Sequence, residues 1–362
     1  MKLKIGENIK QLRKQNDITQ ETLAEMLGVS TQSVSRWELG TCYPDMELLP
    51  IISDIFKVSV DTLIGADDTM EKTKTGEYLV RFQEAISKGK IDDCISIARE
   101  GVAELPNNYV LLNKLMYALF LSGDDTGNIP DWKENMSKYD DEIVSLGERI
   151  IKYCPDQDIR LEATSLLAFQ HVEMGRRAIG RAMFESLPTQ EFCRENRIWW
   201  ALEEDEKLPF LRNRILDDYG LLCYRISRLV NYADFSDEEA IAVIEKALAI
   251  EEIIWDGKIP MYSNTVQFHL ELAKLYARIG NTEKMYEHLN ACADGAKNFD
   301  QLPDILTTNS LILGEVIQKR TDRETADTRS LCEILREDRL LNSVFNKYRD
   351  TPEFRSILEK LA

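Results

Sequence analysis

The chain has 362 residues, 44% of them apolar and 30% charged, a globular composition long enough for two or three compact units and too apolar for a disordered chain. Its formal charge of −18 excludes a protein that coats nucleic acid through overall basicity. No apolar run approaches the roughly twenty residues that cross a bilayer, so neither a membrane partner nor a signal peptide is expected.

The charge is unevenly spread. Residues 1–65 carry seven Lys/Arg against nine Asp/Glu, and the remainder carries 38 against 54. Any face for a polyanion is therefore local and lies in the N-terminal part. The seven cysteines (Cys42, Cys94, Cys154, Cys193, Cys223, Cys292, Cys332) stand singly without a CxxC pair, which reads as reduced thiols in a cytoplasm. The three histidines, His171, His269 and His288, have no metal-ligand spacing, so neither a metal nor a cofactor is expected.

Residues 3–15 place Ile5, Ile9 and Leu12 on one helical face, and Asn16-Asp17 closes that helix. Thr19 is the predicted N-cap of a second helix, QETLAEML, with Leu23, Met26 and Leu27 facing inward and Gly28 ending it. Ser30 caps a third helix, TQSVSRWEL, on which Val34 and Trp37, three residues apart, face the core. Two short helices joined through a glycine turn, the second polar on its outer face, form a helix-turn-helix. On that third helix Thr31, Gln32, Ser33, Ser35 and Arg36 project away from Val34 and Trp37. Glutamine can pair bidentately with adenine and arginine with guanine in the major groove, while serine and threonine suit several base edges. Gln20 opens the second helix, where a side chain and a backbone amide can clamp a phosphate. Taken singly, each of these polar residues reads as a solvated helix face; the set at this spacing is what points to DNA.

With those residues in view, ITQETLAEMLGVSTQSVSRWELGTCYPD resembles the Xre and phage-repressor helix-turn-helix domains of bacteria and their viruses. The resemblance rests on T-Q-E-x-L-A at 19–24, G-V-S at 28–30, S-x-W-E-x-G at 35–40 and Pro44. LLPIISDIFKVSVDTLIG then matches the family's fourth and fifth helices, with Ser59 as N-cap. The resemblance implies a five-helix lambda-repressor-like domain over residues 1–65. It further implies base contacts from Thr31, Gln32, Ser33 and Arg36, phosphate contacts near Gln20 and Tyr43, and an internal salt bridge between Arg13 and Glu38. The loop 39–46 departs from the pattern in having no Lys or Arg, which makes dimerisation more necessary for binding.

Residues 66–76, ADDTMEKTKTG, are polar and aperiodic and are read as a linker. From 77 to 362 the chain reads as helix at 3.6 periodicity, with no sustained strand alternation. Glycines at 89 and 123 are spaced by the 34-residue tetratricopeptide period. Helices ending at Gly175 and Gly280, and the segment with Leu272, Ala273, Tyr276, Leu289 and Cys292, resemble further degenerate copies. Ser236 and Glu239 form a predicted capping box. An insert near 124–138 and the stretch 190–212 do not fit the repeat, and TPEFRSILEKL is a predicted terminal helix with Pro352 in its first turn. Tyr109, Asn113, Tyr117, Tyr262, Asn264, His269 and Tyr276 are candidates to line a concave groove, although core packing or solvation is the commoner fate of such side chains. Trp199-Trp200 reads as a packing anchor.

The expected fold class is thus all-α, with the helix-turn-helix domain followed by an α-solenoid of tetratricopeptide-like helix pairs. This combination is similar to cytoplasmic regulators of low-GC Gram-positive bacteria, some of which sense peptides. The resemblance implies a sequence-specific transcriptional regulator: a homodimer on palindromic double-stranded DNA, with a peptide or protein ligand in the helical repeat groove. The alternative is a helical-repeat adaptor that recruits a partner protein to DNA without any small effector. No phosphate-cradling glycine loop or nucleophile elbow occurs, so an enzyme is not expected.

Overall fold

The computed structural model describes residues 5–16, 18–125, 128–190, 193–258, 260–261 and 264–362. The chain is overwhelmingly helical and divides into two compact units, Met1–Phe82 with Ser96–Leu115, and Gln83–Ile95 with Met116–Ala362.

The first unit begins with α1 (Ile5–Gln15), α2 (Gln20–Leu27), α3 (Thr31–Glu38), α4 (Leu49–Phe56) and α5 (Val60–Ile64). Their boundaries follow from local chemistry. Thr19 Oγ1 accepts from Thr22 N at 3.1 Å, Ser30 Oγ from Ser33 N at 3.1 Å and Ser59 Oγ from Thr62 N at 2.9 Å, each side chain satisfying an amide that the first helical turn leaves open. Gly28 ends α2 in the left-handed region at φ 64°, where a Cβ would be strained. Ile5, Ile9, Leu23, Leu27, Val34, Trp37, Ile52, Phe56 and Leu63 form one buried cluster. Met26, expected inside, is exposed; α2 turns Leu23, Ala24 and Leu27 to the core, and a residue one step from Leu27 falls about 100° away. Asp17, expected to help close α1, lies outside the described residues.

Residues 66–76 are helical, forming the start of α6 (Ala66–Ile86). Long-range bonds settle what the weak local pattern leaves open. Asn108 Nδ2 donates to Glu71 Oε1 at 2.9 Å and Thr75 Oγ1 at 2.8 Å, Lys74 pairs with Glu104, and the Tyr78 hydroxyl donates to Glu104 at 2.8 Å. The helices α7 (Ile91–Glu104) and α8 (Tyr109–Leu121) follow.

The second unit continues with α9 (Trp132–Lys138), α10 (Asp140–Tyr153), α11 (Gln157–Glu173), α12 (Arg177–Glu185), α13 (Arg194–Arg197), α14 (Glu204–Tyr232), α15 (Asp237–Trp255), α16 (Thr265–Arg278) and α17 (Thr282–Asp300). Successive antiparallel neighbours pack in pairs: α10 on α11, α11 on α12, α15 on α16, and α16 on α17. Leu272, Ala273, Tyr276, Leu289 and Cys292 are all buried in the α16–α17 pair, as the repeat pattern requires. The Ser236/Glu239 capping box is present, and Gly175 and Gly280 turn the chain at φ 76° and 78°. The terminal helix, α19 (Pro352–Lys360), is capped by Thr351 and packs on α17. Trp199 packs on Phe210, with ring centroids 6.4 Å apart, but Trp200 is 84% exposed and anchors nothing.

Among the described residues one short hairpin stands beside the helices of this all-α fold. Residues β1 (Ile305–Ser310) and β2 (Gly314–Lys319) form an antiparallel hairpin in which Ile305 faces Lys319 and Ser310 faces Gly314. Its alternation is weak because tertiary contacts position it: Asp256 Oδ2 accepts from Leu311 N at 2.7 Å, and Gln318 Oε1 accepts from Met261 N at 2.8 Å. The chain then runs toward α18 (Leu331–Glu337) along the turn after α6. There Thr325 N donates to Ile86 O at 3.2 Å, Gln83 Nε2 to Thr321 O at 2.6 Å and the Tyr117 hydroxyl to Glu324 at 2.7 Å. Gly89 sits at φ 69° with its Cβ position 2.5 Å from Asp327 O. Gly89→Ala therefore combines backbone strain with a backbone clash, and about 1–3 kcal/mol of stability is lost. Hydrogen exchange of the Thr325 amide checks this: it accelerates in the variant, and unchanged protection would refute the contact.

Candidate nucleic-acid interface

The third helix is held on one face and at its N-terminus. Its inner face is held by buried Val34 and Trp37, and its N-terminus is held by Ser30. Thr31, Gln32 and Arg36 on its outer face are exposed, whereas Ser33 and Ser35 are half-buried. Gln32 and Arg36 lie four residues apart and share one stripe, with Thr31 and Ser35 forming the next. Ser33 is already engaged, since its amide and hydroxyl both meet Ser30 Oγ, at 3.1 and 2.8 Å. Arg36 makes no ion pair among the described residues and its guanidinium is exposed. Its charge is therefore uncommitted, in contrast to that of Arg13.

Arg13 is structural. Its Nε donates to Glu38 Oε1 at 2.6 Å, Nη2 to Glu38 Oε2 at 3.1 Å and Nη1 to Ile18 O at 2.8 Å. Gln20 joins the same group, with Nε2 donating to Glu38 Oε2 at 2.7 Å. Burial opposes ionisation of Glu38, but the hydrogen bonds from Arg13 and then Gln20 outweigh it and hold the carboxyl below its ordinary range. This network ties the C-terminus of α1 and the start of α2 to the last turn of α3. It also leaves Gln20 with its side-chain amide already bonded and its backbone at the first turn of α2. Tyr43 is exposed on the loop after α3. Lys10 and Lys14 are exposed on α1.

Two residues that sequence reasoning passed over set this geometry. Gly6 on α1 has its Cβ position 1.9 Å from Trp37 O, so α1 and α3 touch backbone to backbone. Asn8 Nδ2 donates to Thr62 O at 3.0 Å and Leu63 O at 3.2 Å, fastening α1 to α5. A glycine inside an amphipathic helix was the available signal for the first; nothing local marks the second.

A cavity of about 960 Å³ lies in the second unit between α14, α16, α17 and the segment after β2. Asn264 and His269, both named as groove candidates, line it. Tyr109, Asn113, Tyr117 and Tyr276 are not among its walls: Tyr276 is buried with its hydroxyl donating to Glu245 at 3.0 Å, and Tyr117 is bonded to Glu324. Tyr262 lies outside the described residues. His269 Nδ1 is 2.9 Å from His288 Nδ1; burial, then the neighbouring His288, push His269 down to about 4, and burial lowers His288 as well. Arg323 lies with its guanidinium carbon 5.2 Å from the Phe299 ring centroid and makes no ion pair among the described residues. Asp294 on the same wall pairs with Lys360 at 2.5 Å. The cavity wall is therefore mainly apolar and carries one cationic side chain, Arg323, whose charge also acts on Asp327.

Among the described residues no helix is long and apolar enough to cross a membrane. Residues 9–63 match the helix-turn-helix family HTH_3. The chain is 40% identical over 73 residues to the HTH-type transcriptional activator BcrR of Enterococcus faecalis, a match covering 20% of this chain and 36% of that one. It is 36% identical over 85 residues to the antitoxin PezA of Streptococcus pneumoniae, covering 24% and 54%. It is 31% identical over 78 residues to the uncharacterized HTH-type transcriptional regulator YobD of Bacillus subtilis, covering 22% and 70%. The chain thus spans between a third and about half the length of the first two relatives. Among solved structures, Bacillus thuringiensis PlcR in complex with the peptide PapR7 and DNA aligns over 82% of this chain and 95% of that one. The identity is 15% and the TM-score 0.33, a likeness too slight to bear on ligand or mechanism.

Proposed function

Because the chain belongs, through its N-terminal domain, to the helix-turn-helix family of transcriptional regulators, we propose that it reads a palindromic DNA operator as a homodimer and that its helical body receives a peptide or protein signal. The observation that carries the DNA reading is the uncommitted stripe of Gln32 and Arg36 on a helix whose opposite face and N-terminus are locked. In this reading α3 enters the major groove, Arg36 pairs with guanine and Gln32 with adenine, and Thr31, Ser33 and Ser35 contact neighbouring edges. Gln20 and Tyr43 meet phosphates, Gln20 chiefly through the amides at the start of α2. A cytoplasmic location and the absence of an enzymatic step accord with relatives that are regulators.

The charge favours dimerisation in this reading. The first domain carries more acid than base, so one copy gains little from the phosphate backbone, and two half-sites supply the missing affinity. The cavity supports the signal: an apolar chain ending in a carboxylate satisfies both its walls and Arg323. The alternative, an adaptor that recruits a partner protein without a small effector, is favoured if a stoichiometric protein co-purifies and peptide extracts leave DNA affinity unchanged.

Genomic footprinting of the tagged chain tests the main reading, with a shared palindrome beside a few promoters as the expected result. On that operator, Gln32→Ala or Arg36→Ala weakens binding by about 1–3 kcal/mol and relaxes preference at one base pair. Wild-type binding by both variants would refute the placement of α3.

A further inference from the structure

The 29-residue α14 has two apolar faces, and the unit covers only one. Tyr219 and Cys223 are buried, and Leu216, Ile226 and Val230 pack with them into the core. About a quarter-turn around the helix, Leu208, Ile215, Leu222 and Leu229 recur every seven residues, with exposures of 55%, 36%, 42% and 49%. Three residues after each come Leu211, Asp218, Arg225 and Tyr232, of which Leu211 is 42% and Tyr232 81% exposed. This is the a/d arrangement of a coiled-coil seam, about 36 Å long from Leu208 to Tyr232. A solvent-facing stripe of that length, apolar at both ends and at every one of the seven-residue positions from Leu208 to Leu229, marks an interaction surface.

We infer that α14 is the seam of an antiparallel dimer between two copies of this chain. The inference rests on the dimer reading above and adds its interface. A seven-residue repeat fits a helix carrying the same repeat, and the charges on the seam select both partner and direction. In a parallel, in-register pair Asp218 meets Asp218 and Arg225 meets Arg225, two like-charge contacts at the centre. Reversing one helix about the middle of the stripe sets Leu208 against Tyr232 and Leu211 against Leu229 across the seam. Each Asp218 then comes within one turn of the partner's Arg225. Two-fold symmetry makes that ion pair twice. Arg225 makes no ion pair within its own chain among the described residues, so its charge is available. Asp218 holds Arg214 with Oδ1 at 3.1 Å and keeps its second oxygen.

Sedimentation equilibrium on the full chain tests the seam. Wild type is a dimer. In Ile215→Lys with Leu222→Lys the dissociation constant rises about 100-fold or more, since buried apolar anchors dominate such interfaces. The far-UV circular dichroism is unchanged, because neither side chain belongs to the buried cluster of the single chain. Asp218→Arg alone and Arg225→Asp alone each weaken the dimer, and the two together restore it; a parallel seam gives no restoration. A wild-type dimer that resists both sets of changes overturns this interface and leaves the dimer reading standing. A wild-type monomer at micromolar concentration overturns both. Loss of operator binding with the seam intact bears on the DNA reading alone.

Discussion

Alanine at position 6 unfolds the helix-turn-helix domain, although glycine to alanine inside a helix ordinarily gains about 1 kcal/mol. The reason lies across the interface. A Cβ on Gly6 would sit 1.9 Å from Trp37 O and 2.9 Å from the Trp37 carbonyl carbon. Both are backbone atoms, so no rotamer change relieves the overlap, and α1 must move off α3. That movement opens the packing of Ile9 against Val34 and Trp37, the centre of the buried cluster. Overpacking of cores typically costs about 1–3 kcal/mol and more where the backbone must shift. A domain of this size holds only about 3–10 kcal/mol in total. Gly76 is the control: it lies in α6 with nothing within 4 Å of its Cβ position, and Gly76→Ala should be neutral or stabilising. Hydrogen exchange in the full chain reads both variants. Protection across Ile5–Gln15 collapses in Gly6→Ala and persists in Gly76→Ala; retained protection in the first would show that the helices do not meet backbone to backbone.

The second large effect is at Glu38. Its side chain is 3% exposed and that of Arg13 is 13%, so Glu38→Ala strands a largely covered guanidinium and releases Gln20. Removing one partner of such a pair costs about 3–5 kcal/mol, whereas replacing both by well-packed apolar residues is often close to neutral. Arg13→Leu with Glu38→Leu should therefore regain most of what Glu38→Ala loses, as judged by proteolysis of the native chain across residues 1–65. Equal losses in the two variants would mean that the pair is not sealed from water. Acid reports on the same group. The folded Glu38 carboxyl titrates below its unfolded value, so its contribution is complete above the ordinary carboxylate range and disappears as pH falls through the folded value. The domain of wild type loses stability across that acid window, and Glu38→Gln flattens the slope there.

What could be read from the chain alone was local. Thr19, Ser30, Ser59, Ser236 and Thr351 cap helices through bonds to amides three residues ahead, and glycines 28, 175 and 280 turn the chain at positive φ. These interactions are complete within one helical turn, so sequence spacing determines them. The faces of α3 follow for the same reason: Val34 and Trp37 go inward because their spacing matches the helical period, which leaves Gln32 and Arg36 outside. What only the tertiary structure decided has partners far away in sequence. Met26 faces out because Leu23 and Leu27 already fill the core side of α2. Residues 66–76 are helical because Asn108 and Glu104 hold them, and the hairpin at 305–319 forms where Asp256 and Met261 meet it. Gly6 matters only because Trp37 O is beside it. Gln83 and Thr321 are bonded across 238 positions. No periodicity carries such a contact, since loop closure over that length is driven by the whole folded unit and not by the residues at its ends.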